Sequence, residues 1–460
     1  MPSFTISAVD KQNQTKAFTY NTDTCVLADA NGVPVVPEAQ AKKHFKPAYK
    51  WNKDNPAFKT KDIRRLKIQL GLKCNYECNY CSQRFIPHAE DGTPDLVEPF
   101  INKMDSWFYG GTDGLGTDTK IEFWGGEPFV YWKTIKPLAE GIRKKYPNAV
   151  FTIITNGSLL DDEKIQWLID LDFNVGLSHD GPGYHVRGLD PLDDEEKREA
   201  ILKLFNILAP QGKMSINAMV HKDNPSRAKI QSWLENVFGQ EYLRIGEGAF
   251  IDAYDEGGME SSLTSYEDHV KFRLNAYREI TAGQANRFGN VMQKIEHVID
   301  HFAHRAPIES ISQKCGIDSP HDLTVDLNGN VITCQNVSAA SMAMNGESHL
   351  AGHVDEFESI RVKSITHWSH RKDCPSCPVV HACRGSCTFA DGEYFEASCN
   401  NSYSDNVASF AAAFEAVTGC AMFYIDGDFR EDRKDIYGLV NGIPEEKPSK
   451  KSFPIPVVSA

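Results

Sequence analysis

The stretch Lys73 to Gln83 reads K-C-N-Y-E-C-N-Y-C-S-Q, with Cys74, Cys78 and Cys81 at C-x3-C-x2-C spacing on one short loop. Three thiolates can hold one metal centre and still leave a metal position open, whereas closed iron–sulfur and structural zinc sites take four protein ligands. The spacing favours an iron–sulfur cluster and leaves open a zinc ion that borrows a fourth ligand. A second concentration lies downstream: Cys315, then Cys334 five residues after Gly329, then Cys374, Cys377, Cys383 and Cys387, and finally Cys399. Spacing alone allows two structural zinc sites there as readily as clusters. Cys25 and Cys420 stand outside both patterns and read as plain buried thiols.

These residues need a scaffold that brings loops together. Short apolar runs predict strands at Leu66–Leu70, Lys120–Trp124, Val150–Ile154, Phe173–Ser178, Met214–Val220 and Tyr242–Gly246. Amphipathic stretches at Thr134–Lys145, Leu160–Leu171, Glu195–Leu208 and Ala228–Val237 predict helices between them. Alternation of this kind implies an α/β fold, a partial (β/α)6 parallel barrel, with chemistry at the carboxyl ends of the strands. Polar constellations follow the strands as that rule requires: the cysteine loop after the first, Trp124-Gly125-Gly126-Glu127-Pro128 after the second, Thr155-Asn156-Gly157 after the third, and Ser178-His179-Asp180-Gly181-Pro182 after the fourth. Each taken singly is also ordinary turn chemistry.

The expected organisation is a small N-terminal β extension and linker over 1–58, the barrel over 59–303, a cysteine-rich domain over 304–420, and a strand with a floppy tail over 421–460. A hairpin is expected about Asn31-Gly32, and a closing helix over Ser404–Thr418. The Gly-rich stretch Gly110 to Thr119 precedes a strand and so is no dinucleotide fingerprint. The chain has 460 residues, with 49 Lys and Arg against 63 Asp and Glu for a net charge of −14, which disfavours a nucleic-acid partner. No run of 18 apolar residues and no signal-peptide layout is present, so no membrane association and a cytoplasmic location are expected. Twelve cysteines in a reducing compartment then argue for metal rather than disulfides.

The ordered motifs (the cysteine triplet, G-G-E-P, T-N-G and S-x-D-G) resemble those of the radical S-adenosylmethionine (SAM) superfamily. The resemblance implies that Cys74, Cys78 and Cys81 hold a [4Fe–4S] cluster whose fourth iron is chelated by SAM. It implies that Gly125, Gly126 and Glu127 meet the methionine amino group and that Ser178 and Asp180 face the carboxylate or ribose. It further implies that Asn156 belongs to the same cofactor site and that Arg187 pairs the carboxylate, with Arg198 as its rival. The seven downstream cysteines match the layout of the SPASM extension of these enzymes. By that resemblance Cys374, Cys377, Cys383 and Cys399 hold one auxiliary [4Fe–4S] cluster, and Cys315, Cys334 and Cys387 another. Three clusters in all are therefore expected.

The cluster of Cys315 lacks a fourth cysteine, so Asp318 or His321 fills its coordination or one iron stays open. Relatives that make formylglycine carry an aspartate directly after the G-x4-C cysteine as proton acceptor; here Gln335 stands there, and an amide cannot take that proton. The expected function is hydrogen abstraction from a residue of a ribosomally made peptide or protein, with oxidation to a thioether or C–C crosslink. Formylglycine formation and a small-molecule dehydrogenase are the alternatives. A flavodoxin, ferredoxin or reductase is the expected electron donor.

Overall fold

The computed structural model describes residues 3–108, 119–285 and 288–440. Six strands form the central parallel sheet in chain order: β4 (Arg65–Gln69), β5 (Lys120–Trp124), β6 (Val150–Thr155), β7 (Phe173–Ser178), β8 (Met214–Asn217) and β9 (Ile245–Glu247). The N-terminal strands β1 (Ser3–Val9), β2 (Thr15–Asn21) and β3 (Val26–Asp29) precede them. The helices α1 (Val97–Lys103), α2 (Trp132–Lys145), α3 (Asp162–Asp170), α4 (Glu195–Leu208) and α5 (Arg227–Phe238) lie between the sheet strands. Local chemistry sets their limits. Asp161, Asp194 and Ser226 cap α3, α4 and α5 by accepting from Lys164, Lys197 and Lys229 amides, and Gly239 ends α5 in a left-handed conformation. The buried faces of the strands, including Leu66, Ile68, Ile121, Phe123, Phe151 and Val175, form the core.

The sheet continues where the sequence predicted a separate domain to begin. After α6 (Glu256–Glu260), α7 (Tyr266–Thr281) and α8 (Gly289–His304), strand β10 (Asp322–Asp326) pairs parallel to β4, with Leu323 opposite Leu66. Strands β11 (Asn330–Ile332) and β12 (Leu350–His353) add antiparallel, giving a nine-stranded open sheet with order β12-β11-β10-β4-β5-β6-β7-β8-β9. The parallel core is thus open, and its first strand is flanked by the cysteine-rich segment.

Two local expectations need correction. The closing helix, α10, runs over Gly392–Thr418 and not from Ser404, so Cys399 lies on it. Its first half is too polar to read as a buried helix, yet partners satisfy it there: Ser398 Oγ accepts from the Ala253 amide and Asn401 Oδ1 from the Leu263 amide. The hairpin about Asn31-Gly32 reduces to β3 and one bridge from Ala28 to Pro34, because Pro34 and Pro37 offer no amide to extend a ladder. The strand after residue 420, β13 (Ala421–Asp426), pairs antiparallel with β1, so both ends of the chain share one four-stranded sheet. A short helix, α9 (Val380–Cys383), lies within the cysteine block. Residues 110–118 of the Gly-rich stretch and the tail 443–460 lie outside the described residues. Among the described residues no helix is long and apolar enough to cross a membrane.

Candidate functional site

The loops at the carboxyl ends of β4 to β9 enclose a cavity of about 310 Å³. Cys74, Cys78 and Cys81 line it together with Gly125, Gly126, Glu127, Asn156, Ser178 and Arg187. Asp180 and Arg198 do not reach it. The Arg198 guanidinium instead donates to the Leu192 carbonyl at 3.3 Å. Burial pushes the Cys78 thiol up to about 12 and raises Cys74 and Cys81 as well, so their thiolates would need a bound cation.

The glycine pair has a steric reason. The Glu127 amide donates to the Lys73 carbonyl at 3.0 Å, which lays the loop after β5 against the cysteine loop. A Cβ on Gly126 would lie 2.4 Å from that carbonyl oxygen and 2.5 Å from the Leu72 carbonyl oxygen. Gly126→Ala therefore pushes the two loops apart. It is expected to cost about 1–3 kcal/mol in urea denaturation, the range for overpacking, and to weaken SAM binding in calorimetry.

Glu127 is buried and joins three loops. Its carboxylate accepts from Thr155 Oγ1 at 2.7 Å, the Asn156 amide at 2.8 Å and the Phe129 amide at 3.2 Å. Burial raises its pKa against those three bonds. Asn156 in turn donates to Asn75 Oδ1 at 3.0 Å, and Asn75 donates to Ser158 Oγ at 2.8 Å, tying the third loop to the first.

Asp180 holds no free oxygen for the cavity. It accepts from Tyr80 OH in a short hydrogen bond and from the Met219 amide at 2.9 Å, and Arg187 Nη1 lies 3.5 Å from Oδ1. Arg187 also donates to Tyr80 OH at 2.9 Å. Burial works against the Arg187 charge, but Tyr80 and Asp180 outweigh it and hold its pKa well above the ordinary value. Arg187 Nε is buried without a hydrogen-bond partner. The sequence reading placed Asp180 at the carboxylate or ribose of the cofactor; in the structure its oxygens meet Tyr80, the Met219 amide and Arg187.

The other cysteines separate into two groups. Cys315, Cys334 and Cys387 line a second cavity of about 300 Å³, with an apolar mouth that includes Phe85, Met342 and Met344. Cys374, Cys377, Cys383 and Cys399 surround a space of about 20 Å³, where Arg433 Nη2 lies 3.2 Å from Cys399 Sγ. Among the described residues no three Cys, His, Asp or Glu side chains converge as a single-ion site requires. Zinc holds its ligands at about 2.0–2.3 Å, whereas the thiolates of a cluster bind different irons and stand further apart. The cradle around Gly126, the unpartnered Arg187 Nε and the three thiol groups all fit a cluster-and-SAM site.

Neither side chain expected to complete the Cys315 group lines its cavity. Asp318 Oδ2 accepts from the Gln313 amide at 3.0 Å, and His321 Nδ1 donates to the Asp62 carbonyl at 2.7 Å. Gln335 does line it, with its amide oxygen held by Lys67 Nζ at 3.0 Å. Ser82, Asp252, Tyr254 and Asn336 line both cavities. The sequence reading missed Asp252 and Tyr254, although they follow the sixth strand, where the carboxyl-end rule directs attention.

Residues 68–229 match the Radical SAM superfamily. The chain is 23% identical over 344 residues to the serine-type anaerobic sulfatase-maturating enzyme of Klebsiella aerogenes, covering 69% of this chain and 78% of that protein. It is 26% identical over 158 residues to the radical SAM cyclopropyl synthase TigE of Paramaledivibacter caminithermalis, a match that covers 31% of this chain and only 34% of that protein. The fold resembles the solved structure of native anSMEcpe with bound AdoMet and Cp18Cys peptide, with a TM-score of 0.52, 18% identity, and coverage of 77% of this chain and 99% of that one. The matched residues run from the end of β4 to the start of α5, so the chain carries a radical SAM superfamily domain, and the cysteine-rich extension that continues its sheet is similar to the SPASM type.

Proposed function

We propose that the protein oxidises a residue of a ribosomally made peptide or protein, forming a thioether or C–C crosslink. The observation that carries this reading is the shared wall of Ser82, Asp252, Tyr254 and Asn336, through which one substrate side chain can face both cysteine-lined cavities. Cys74, Cys78 and Cys81 would hold a [4Fe–4S] cluster, which together with bound SAM would supply radical hydrogen abstraction. Glu127 and the glycine pair form the amino-group side of the SAM pocket, Ser178 lines it, and Arg187 offers Nε to the carboxylate. Tyr80 and Asp180 hold that guanidinium in place.

Two auxiliary clusters, on Cys315, Cys334 and Cys387 and on Cys374, Cys377, Cys383 and Cys399, complete the cofactor set. A two-electron oxidation needs an acceptor for the second electron, and a cluster on Cys315, Cys334 and Cys387 would be that acceptor. The apolar mouth at Phe85, Met342 and Met344 suits an extended peptide better than a small polar metabolite. A peptide substrate also agrees with the sulfatase-maturating relative and with the peptide bound in the similar structure. A flavodoxin or ferredoxin is the proposed donor. The proposed extension begins within the sheet, where β10 to β12 continue it beyond β4.

With Asp318 and His321 both committed elsewhere, the Cys315 group keeps an open position, which a substrate thiolate suits. Thioether formation is therefore the favoured crosslink. The expected result is that His321→Ala and Asp318→Ala leave the electron paramagnetic resonance of the reduced holoenzyme unchanged, while a cysteine-containing peptide perturbs it. A changed signal in either variant returns that side chain to the coordination sphere and removes the open position.

Formylglycine formation is the second reading, favoured by the sulfatase-maturating relative. Gln335 departs from it only at the position after Cys334, where an amide held by Lys67 has no proton affinity to offer. Mass spectrometry after hydrazide treatment separates the readings: formylglycine is an aldehyde that hydrazide reagents capture, whereas a thioether or C–C crosslink leaves no carbonyl to react.

A further inference from the structure

The Asp252 carboxylate stands where the two cavities meet, and we propose that it is the catalytic proton acceptor for the substrate residue. The assignment rests on the peptide-oxidising reading above. Asp252 follows β9, at the carboxyl end of the sixth parallel strand. Its Oδ1 accepts from Ser386 Oγ at 2.6 Å, and no hydrogen bond from a described residue reaches Oδ2. The Ser386 bond holds one carboxylate oxygen, and the residue lines both cavities.

The other carboxylates at the two cavities are engaged. Glu127 accepts three hydrogen bonds. Asp255 caps α6 by accepting from the Gly258 amide at 2.9 Å, and it faces Arg84 at 3.9 Å. Gln335, beside Cys334, offers only an amide oxygen already bound by Lys67. A general base must lie within hydrogen-bond reach of the proton it removes, and Asp252 is the carboxylate that lines both chambers.

The step is acid–base. The O–H or S–H bond of a Ser, Thr or Cys side chain breaks, an O–H bond forms at Oδ2, and the bonding pair stays on the substrate heteroatom. No electron is gained or lost in it. The heteroatom left behind is the nucleophile or electron-rich centre that the oxidation needs.

The test begins with the substrate. Peptide masses are compared between cells carrying the wild-type gene and cells carrying the triple variant Cys74→Ala, Cys78→Ala, Cys81→Ala, and the peptide whose mass depends on the wild-type gene becomes the probe. Purified, anaerobically reconstituted holoenzyme then turns that peptide over, with modified peptide counted per 5′-deoxyadenosine formed. Asp252→Asn is expected to lower this ratio about 100-fold or more, the usual share of a general base. Asp252→Ala is expected to fall equally and to recover in part with added formate, which a merely structural role would not allow.

Without reductant, adding the peptide is expected to shift a carboxylate infrared band of the wild type that Asp252→Asn lacks. Iron content and thermal melting check that both variants fold. A wild-type ratio in Asp252→Asn, or a deficit in well-folded Asp252→Ala that formate leaves untouched, overturns the assignment alone. No mass-shifted peptide in wild-type cells overturns the peptide reading and takes the assignment with it.

Discussion

Replacing Cys74, Cys78 and Cys81 together with alanine is expected to lower bound iron from about twelve to about eight atoms per reconstituted chain, and to abolish reductive cleavage of SAM. The size of the effect follows from the site. All three thiols line the cavity that also holds Gly126, Glu127 and Arg187, so no neighbouring cysteine can take their place. Cys315, Cys334 and Cys387 belong to the adjacent cavity, and Cys374, Cys377, Cys383 and Cys399 surround a separate small space. Their iron should therefore stay. Iron and sulfide analysis with chromatography of 5′-deoxyadenosine reads both effects. Persistent SAM cleavage in the triple variant would remove the radical assignment, and a loss of all twelve irons would show that the groups are not independent.

Asp405→Ala is expected to destabilise the fold by about 3–5 kcal/mol, the cost of breaking a buried ion pair from one side. Asp405 lies on α10, where Oδ1 meets Arg227 Nη2 at 2.6 Å and Oδ2 meets Lys294 Nζ at 2.7 Å. Arg227 is 1% exposed, so its charge would be left uncompensated by water. Its guanidinium also donates to the Gly248 carbonyl at 2.9 Å through Nε, which joins α5, α8 and α10 to the strand end that carries Asp252.

Burial raises the Asp405 pKa, but Arg227 and Lys294 outweigh it and hold the carboxyl well below the ordinary range. A depressed pKa contributes stability that is complete above the unfolded value of about 3.9 and is lost as pH falls towards the folded one. The difference between wild type and Asp405→Ala, measured by urea denaturation, should therefore be constant near neutrality and shrink below about pH 4. A difference that grows on acidification would contradict the ion-pair account. Because α10 also carries Cys399, the variant should release iron from the four-cysteine group more readily.

Some of this protein was legible in its residues alone. The six parallel strands fall close to the apolar runs, and Lys120–Trp124 and Phe173–Ser178 coincide with them. Period and turn chemistry are local properties, so a short window suffices to read them. The strand-end rule likewise brought Cys74, Gly125, Gly126, Glu127, Asn156 and Ser178 to one cavity, because in a parallel sheet every carboxyl end faces the same side.

What the tertiary structure decided depends on partners far away in sequence. The polar first half of α10 reads as loop until the Ala253 and Leu263 amides and the Arg227 charge are placed against Ser398, Asn401 and Asp405. Asp180 lies in the S-x-D-G motif, yet Tyr80 and Arg187 claim its oxygens. Asp318 and His321 stand near Cys315 in sequence, but the Gln313 amide and the Asp62 carbonyl hold them out of its cavity. Asp252 belongs to no motif, and only the approach of β9 to the Ser386 loop makes it the carboxylate between two chambers. Residue type and spacing determined which atoms are available for chemistry. Competition among buried donors and acceptors, each of which must find a partner, decided which of those atoms remain free.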